Sequence, residues 1–575
     1  MLKKKIIIFL IVLFISSIPA LAAENQEIND NISSMANKLI EDGKAKGTVL
    51  SIIKNGEVIL CKGFGFADEY NNIPADGKLT AFRIGSVSKT FVAAAAQILN
   101  QQGKLDMNSD ISVYLESDFP KLKYPVTMHQ LLTHTAGFEE LITGIAVLNV
   151  SDTEPLSVSV RKYMPEQIFK PDKVSSYSNY GIALAAYVVE AIAEVPFAKF
   201  CTENIFLPLD MNRTTYEYMH DVVYVSKAYL PDGRETAEPY INLYPEGSAV
   251  STAEDTAKYM KWLLNDKDNR ILSEKYKNEL FEKQFAISEE WEGTGYVWSR
   301  RERNDKIYHD KKGETLNFYT RIALYPEENT GIFLSFNTYV PENEINAIMM
   351  KATDLIYGKQ EEKIPDKISS SIDIRGIYVN NWSSIKTPEK ILSYLIPGKM
   401  LYIKETGGEF LLNGEKITLI GNDTFSSSMG KIKFNDKSGN IIIATESAVT
   451  YSKVSFLQSK IIQTCILFLF VISAFICFIK SILHKKAAFI AASLIQILSF
   501  LGLCILLLKG IQNYSILKYS YYMNICGWLI ALSGAAGIVY TVLMKRNNDK
   551  ISTIYIGWNL ESIIFIAWLL NFNII

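Results

Sequence analysis

Cysteine is scarce in this chain, six in 575 residues. Cys465, Cys477, Cys504 and Cys526 fall in long apolar stretches, which leaves Cys61 and Cys201 outside them. Two cysteines make no disulfide framework; a single bridge between them is allowed, but a core of this size does not need one. The five histidines (129, 134, 220, 309, 484) are scattered without C-x-x-C or H-E-x-x-H partners, so no metal site is expected. An excess of charge of one sign is also missing. Lys and Arg number 59 against 61 Asp and Glu, a net charge of -2, which argues against a nucleic-acid partner. There is no internal repeat and no low-complexity tract. The length calls for two or three structural units.

The abundant class is hydrophobic, 48% of residues, and the excess sits at the two ends. Met1-Leu2-Lys3-Lys4-Lys5 precedes an apolar run from Ile6 to Ile15 and an A-x-A site at Ala20-Leu21-Ala22. That layout predicts a secretory signal peptide over 1–23, cut after about Ala22 or Ala23, with an uncleaved anchor as the alternative. The C-terminal region 457–575 holds four apolar stretches at about 460–482, 487–508, 521–543 and 552–573, each near the roughly 20 residues that span a bilayer. Basic clusters at His484-Lys485-Lys486 and Lys545-Arg546 put the first and third loops in the cytoplasm. Residues from about 24 to 458 are then expected outside the cell, in agreement with the signal peptide.

Between the ends, residues 24–360 mix helix and strand patterns. Asn31 to Glu41 and Thr90 to Gln102 read as helices. Gly47 to Ile53 and Glu57 to Phe66 read as strands joined at Asn55-Gly56, a strong hairpin turn. Phe318 to Tyr325 and Thr330 to Ser335 form another strand pair. An antiparallel sheet with helices is expected, an α+β fold. Lys359 to Lys367, charged and containing Pro365, reads as a linker. From Ile372 to Val454 short β-type runs alternate with turns such as Gly407-Gly408 and Asn413-Gly414, which predicts a small all-β domain over 361–456.

The chemistry starts at Arg83-Ile84-Gly85-Ser86-Val87-Ser88-Lys89-Thr90. A serine hydroxyl at neutral pH is a poor nucleophile and needs a base within hydrogen-bond reach. Residues three apart on a helix share a face, so Lys89 can sit beside Ser86. Burial beside other positive charge would make its ammonium give up a proton readily. Downstream, Tyr177-Ser178-Asn179 enters a helical run, Ile182 to Ala193. The tyrosine can take and return a proton beside a nucleophile, and the asparagine can orient a substrate amide. Lys311-Lys312-Gly313-Glu314 precedes an apolar strand. There Gly313 would let a substrate backbone come close, Lys311 would supply positive charge, and the Glu314 N–H could polarise a carbonyl. Each pattern alone is weak, since Y-x-N also fits a core tyrosine and K-x-G a charged turn.

In the order S-x-x-K, Y-x-N, K-x-G, the three patterns resemble the class C β-lactamase and low-molecular-weight penicillin-binding protein superfamily of serine hydrolases. The likeness extends over roughly 30–358, through Ala81 to Ser86, Val126 to Gly137, Pro208-Leu209-Asp210-Met211 and Gly247 to Asp255. The resemblance implies that Ser86 is acylated, Lys89 accepts its proton, and Tyr177 passes the proton to the leaving group. It also implies that Asn179 holds the substrate amide, that Lys311 faces a carboxylate or the tyrosine, and that the N–H groups of Ser86 and Glu314 form the oxyanion hole. No metal or organic cofactor is implied.

This chain departs from the family in three places. Lys312 replaces the usual threonine or serine, which argues against an efficient β-lactamase. Many relatives carry His where Lys311 stands, while His309 lies two residues earlier and is expected to be a surface or edge-strand histidine. Leu316-Asn317 replaces a pair of glycines. His134 is expected to serve packing or loop bonding. In the last apolar stretch Glu561, with Asn559 nearby, is expected either to face the bundle, bonded to Tyr or Trp, or to serve transport or proton movement. The expected function is an extracytoplasmic, membrane-anchored serine hydrolase working through an acyl-enzyme on small-molecule or peptide substrates. A peptidase on D-amino-acid-containing peptides heads the readings, with a β-lactamase or carboxylesterase, or a sensor acylated without turnover, as alternatives. The plan also resembles the prodrug-activating peptidases of nonribosomal-peptide pathways, which have fewer membrane helices.

Overall fold

The computed structural model describes residues 23–218, 223–265, 267–359, 369–437, 440–446, 449–547 and 552–575. The expected signal peptide, His220 and nearly all of the expected linker lie outside the described residues. A first helix, α1, spans 23–41. Strands β1 (Gly47–Lys54) and β2 (Glu57–Asp68) follow, joined by Asn55 and Gly56 at φ 52° and 79°. Both central residues thus take the left-handed conformation that a two-residue Asn-Gly hairpin requires. Helices α2 (Lys89–Gln101), α3 (Asn179–Ala193) and α4 (Ala253–Leu264) lie in the middle of the sequence. Four strands, β3 (Ser299–Arg303), β4 (Lys306–Glu314), β5 (Tyr319–Tyr325) and β6 (Thr330–Phe336), precede helix α5 (Glu342–Tyr357).

The strands form a seven-stranded sheet in the order β3-β4-β5-β6-β1-β2, with Ile73–Pro74 at the far edge, and every pairing is antiparallel. Side chains alternate across a strand. Leu50, Ile52, Ile332 and Leu334 therefore meet Ile28, Ile32 and Leu39 of α1 and Ile345 and Ile348 of α5. Val49, Ile322 and Phe333 turn the other way, onto Phe91 and Val92 of α2 and Met260 of α4. Covered on both faces, β1 is buried at every residue. The α+β expectation holds.

Residues 376–454 form a closed eight-stranded barrel, in which Gly376–Asn380 pairs with both Met400–Thr406 and Val449–Val454. Its first connection, residues 381–399, leaves the barrel and reaches the sheet domain. Four long helices follow: α6 (Lys460–Leu483), α7 (Ala487–Gln512), α8 (Ser520–Arg546) and α9 (Thr553–Asn571), all long and apolar enough to cross a membrane. The basic clusters at 484–486 and 545–546 occupy one end of this bundle. At the other end, Gly144 N–H donates to Tyr514 O at 3.1 Å, Leu517 N–H donates to Thr143 Oγ1 at 3.0 Å, and Asn573 Nδ2 donates to Ile385 O at 3.0 Å. The loop between α7 and α8 and the last residues thus touch the same globular part that the charge pattern places outside. This is a multi-pass membrane protein with a large extracytoplasmic domain.

Inside the bundle, Trp558 Nε1 donates to Gln496 Oε1 at 2.8 Å and Gln496 Nε2 donates to Ser562 Oγ at 3.0 Å. The Trp558 bond goes to Gln496 and not to Glu561, whose Oε2 has no hydrogen-bond partner among the described residues. Cys61 and Cys201 are both free thiols.

Candidate active site

Ser86 sits in a 3₁₀ turn, Gly85–Ser88, that runs directly into α2, so Lys89 is the first residue of the α-helix. The turn lies against the free edge of β4. Strand β3 pairs with residues 306–310 only, leaving 311–314 bonded to β5 on one side and facing the serine turn on the other. Gly85 has φ 51°, and a Cβ there would lie 2.6 Å from Glu314 N. A Cβ on Gly313 would lie 2.0 Å from Ile84 O. Any side chain at either position would push the turn and strand apart, and with them the N–H groups of Ser86 and Glu314.

Lys89 Nζ donates to Ser86 Oγ at 2.7 Å, so the S-x-x-K spacing does bring amine to hydroxyl. Lys89 also donates to Glu246 O at 2.5 Å and Glu246 Oε2 at 2.7 Å. The sequence pattern predicts only positive charge beside this lysine and gives no sign of the Glu246 carboxylate. Burial opposes the charged amine, but Glu246 and Tyr177 outweigh it and hold the Lys89 pKa above the ordinary value. Glu246 stands one residue before the Gly247 to Asp255 segment. It arrives on a one-turn 3₁₀ helix, Tyr244–Glu246, which carries no periodic signal.

The Tyr177 ring lies between two amines, 5.2 Å from Lys89 Nζ and 4.9 Å from Lys311 Nζ. Lys311 and Gly313 share the inward face of β4, whereas Lys312 points outward and pairs with Glu342 of α5. Burial lowers the Lys311 pKa, and the nearby Lys89 cation lowers it further. His134, at φ 59°, accepts from Ser178 N–H at Nδ1, 3.2 Å away. Its ring packs tilted against Tyr177 with centroids 4.3 Å apart. Burial first, then the cations of Lys311 and Lys89, keep it neutral. It therefore fixes the tyrosine loop, as packing and loop bonding require.

His309 is on the inward face as well, but it is neither a surface nor an edge-facing residue. It is buried against Phe281, ring centroids 4.8 Å apart, and burial pushes its pKa down to about 3. The strand alternation explains this, since residue 309 shares the face of 311 and 313.

Asn179 begins α3, behind the N-cap Ser178, whose Oγ accepts from Gly181 N–H at 2.9 Å. Its Nδ2 donates to Glu140 Oε1 at 2.7 Å and its N–H to Glu140 Oε2 at 3.1 Å, leaving Oδ1 buried without a partner. Burial raises the Glu140 pKa. The barrel covers this side. Trp382 packs on Tyr177, centroids 5.1 Å apart, and Lys399 Nζ lies 4.0 Å from the Trp382 ring centre. Glu139 accepts from the N–H groups of Ile385 and Lys386 at 2.7 and 2.8 Å. Glu389 in turn accepts from those of Ile142 and Thr143 at 2.6 and 3.0 Å. From sequence this module carries no catalytic cluster, and its expected roles are spacer, lid or partner contact; the loop 381–399 walls the site, and no spacing marks which of its residues do so.

A protein-family model described as Beta-lactamase matches residues 32–352, more than half of the chain. The chain belongs to the beta-lactamase family. Among curated relatives, "Putative penicillin-binding protein PbpX" of Bacillus subtilis (strain 168) is 29% identical over 257 residues, 44% of this chain and 62% of that protein. "Protein flp" of Staphylococcus aureus (strain N315) is 27% identical over 321 residues, 53% of this chain and 62% of flp. This family member thus spans about 62% of the length of the curated relatives it matches. The octameric penicillin-binding protein homologue from Pyrococcus abyssi shares the fold at 21% identity and TM-score 0.50, over 74% of this chain and 99% of that one. SurE does so at 16% identity and TM-score 0.54, over 75% and 99%.

Proposed function

We propose that this family member is an extracytoplasmic peptidase that works through an acyl-enzyme and cleaves amides next to a D-amino acid. The substrates would be wall peptides or secreted secondary-metabolite precursors. The reading rests above all on the 2.7 Å contact between Lys89 Nζ and Ser86 Oγ, made in a buried site whose second proton carrier, Tyr177, lies between two amines. In this scheme Ser86 Oγ attacks the carbonyl and the N–H groups of Ser86 and Glu314 receive the developing oxyanion. Tyr177 hands a proton to the leaving nitrogen, and water releases the acyl group. Lys311 faces the substrate carboxylate. Asn179 Oδ1, buried without a partner among the described residues, accepts an N–H from the substrate. Residues 24–360 carry the chemistry, 361–456 wall the site, and 457–575 anchor the enzyme.

The β-lactamase alternative is disfavoured by Lys312, which is turned away to Glu342 and offers no side-chain hydroxyl where the family has threonine or serine. Membranes containing the full chain should become labelled by a fluorescent fluorophosphonate in wild type and stay unlabelled in Ser86→Ala. Wild type should release D-aminoacyl amides faster than their L counterparts. Prompt nitrocefin hydrolysis with no amide turnover would instead select the β-lactamase reading. A fluorescent penicillin that stays bound at one equivalent, with no recovery and no amide turnover, would select the sensor.

A further inference from the structure

An ammonium group has three protons to donate, and among the described residues Lys89 Nζ has three acceptors within hydrogen-bond distance: Ser86 Oγ at 2.7 Å, Glu246 O at 2.5 Å and Glu246 Oε2 at 2.7 Å. Each proton is therefore committed, and the nitrogen has no lone pair for the Ser86 proton until one of its own has left. The acceptor bonded to it and able to take a proton is the Glu246 carboxylate. Both groups are out of water, with Lys89 0% and Glu246 6% exposed. In such a place the hydration that favours an ion pair over a neutral amine and carboxylic acid is largely gone, so shifting a proton across this contact costs much less than in solution.

We infer that Glu246 is a positioning residue for acylation that acts through Lys89, taking one ammonium proton so that the amine can receive the proton of Ser86. The inference rests on the acyl-enzyme reading above. One Lys89 proton moves to Glu246 Oε2. The neutral amine then takes the Ser86 hydroxyl proton as the Oγ–carbon bond forms and the carbonyl π pair moves onto oxygen. When the carbon–nitrogen bond breaks, that proton passes through Tyr177 to the leaving nitrogen, and Glu246 returns its own to Lys89. The site begins and ends with an ammonium and a carboxylate.

Other titratable groups face this pair. Tyr177 stands over Lys89, with Lys311 from β4 and His134 from its loop at the same ring. Glu140, Tyr216 and Tyr218 feel the charge of Glu246. His134 is held neutral by burial, so Glu246 is the anion directly bonded to the amine.

The test is the rate of fluorophosphonate labelling of the full chain in membranes from pH 5 to 10, for wild type, Glu246→Gln, Glu246→Asp and Ser86→Ala. Wild type carries its own proton acceptor and loses no proton to solvent before acylation, whereas Glu246→Gln must wait until Lys89 does. Without the anion that holds its charge, Lys89 does so below the pH of an exposed lysine, so the rate should fall at pH 7 by up to about 100-fold. The rising limb should lie alkaline of wild type but short of the ordinary lysine range. Glu246→Asp, which keeps a carboxylate, should stay within about tenfold of wild type at pH 7 with its limb near the wild-type position. Three results overturn the inference: an unmoved limb with an equal loss at every pH, a limb moved toward acid, or an undiminished rate at pH 7. If Glu246→Gln fails to fold, Glu246→Asp decides alone, because a loss equal at every pH there marks mere packing. Labelling of Ser86→Ala at the wild-type rate would sink the acyl-enzyme reading itself, whatever the Glu246 variants do.

Discussion

Two lysines approach the Tyr177 ring from opposite elements, Lys89 from α2 and Lys311 from β4, at 5.2 and 4.9 Å. Both are buried, yet their protonation is biased in opposite directions. Lys89 is bonded to a carboxylate, whereas Lys311 makes no ion pair among the described residues. Burial alone drives an amine toward its neutral form, and a bonded anion reverses that. One buried lysine is thus kept as a reservoir of protons and the other is left ready to lose its charge. The difference comes from a single glutamate and not from depth.

The sharpest way to break the comparison is to remove the amines one at a time. Lys89→Met should cost at least about 10³-fold in labelling rate, since the group proposed to receive the serine proton is gone. Lys311→Met should cost less, about 10²-fold in kcat/KM for substrates with a free carboxylate and little for those without one. Equal losses in both variants, on both kinds of substrate, would show that the two lysines are interchangeable and the comparison false.

The opposite biases of the two lysines entail a pH effect. The Lys311 pKa is lowered by burial, so its charge is present at low pH and is lost as the pH rises, earlier than for an exposed lysine. KM for a carboxylate-bearing substrate should therefore rise on the alkaline side below pH 10, while KM for the matching amide stays flat. An equal rise for both would mean that Lys311 does not meet the carboxylate.

How far the sequence shows these features depends on distance along the chain. Ser86 and Lys89 lie within one turn, and helix geometry alone brings them together. Tyr177 and Lys311 become legible only as members of an ordered set, through resemblance. Glu246 is separated from Lys89 by 157 positions and sits on a single turn after a proline, so neither spacing nor periodicity marks it. Glu140, Trp382 and Lys399 are hidden for the same reason, being joined across a domain seam. The strands of the barrel can be read from their turn dipeptides, but a barrel is expected only from the resemblance of 372–454 to small β-barrel-like modules, because closure depends on strand number and stagger together, which alternation does not encode. His309 was within reach, because counting by twos from Gly313 through Lys311 leads to it and to the buried face.

The barrel wall should contribute less than either amine. Trp382→Ala removes the ring against Tyr177, a contact worth about 0.5–1.5 kcal/mol. Labelling should slow by no more than about tenfold, and the effect should vanish when Tyr177 is already replaced by Phe in a variant that has lost the hydroxyl. A loss as large as that of Lys89→Met would make the barrel part of the chemistry and not its wall.

The smallest effect on activity is expected at His309, on the same face as Lys311 but packed into Phe281. Its pKa, pushed down to about 3 by burial, lies below the roughly 6.5 of a histidine in the unfolded chain. Between those values the unfolded state binds a proton that the folded state refuses, so the folded state loses stability as the pH falls through 6.5 toward 3, by at most about 1.4 kcal/mol per pH unit. His309→Phe removes this liability while filling the same space. Its Tm should fall less steeply than that of wild type between pH 7 and 4, with labelling at pH 7 within about twofold of wild type, the scale of a substitution that misses the reacting groups. Parallel Tm profiles would mean that the imidazole is already charged in the fold. A labelling loss approaching that of Lys311→Met would bring His309 into the site beside Lys311 and erase the distinction between two residues that share one face of one strand.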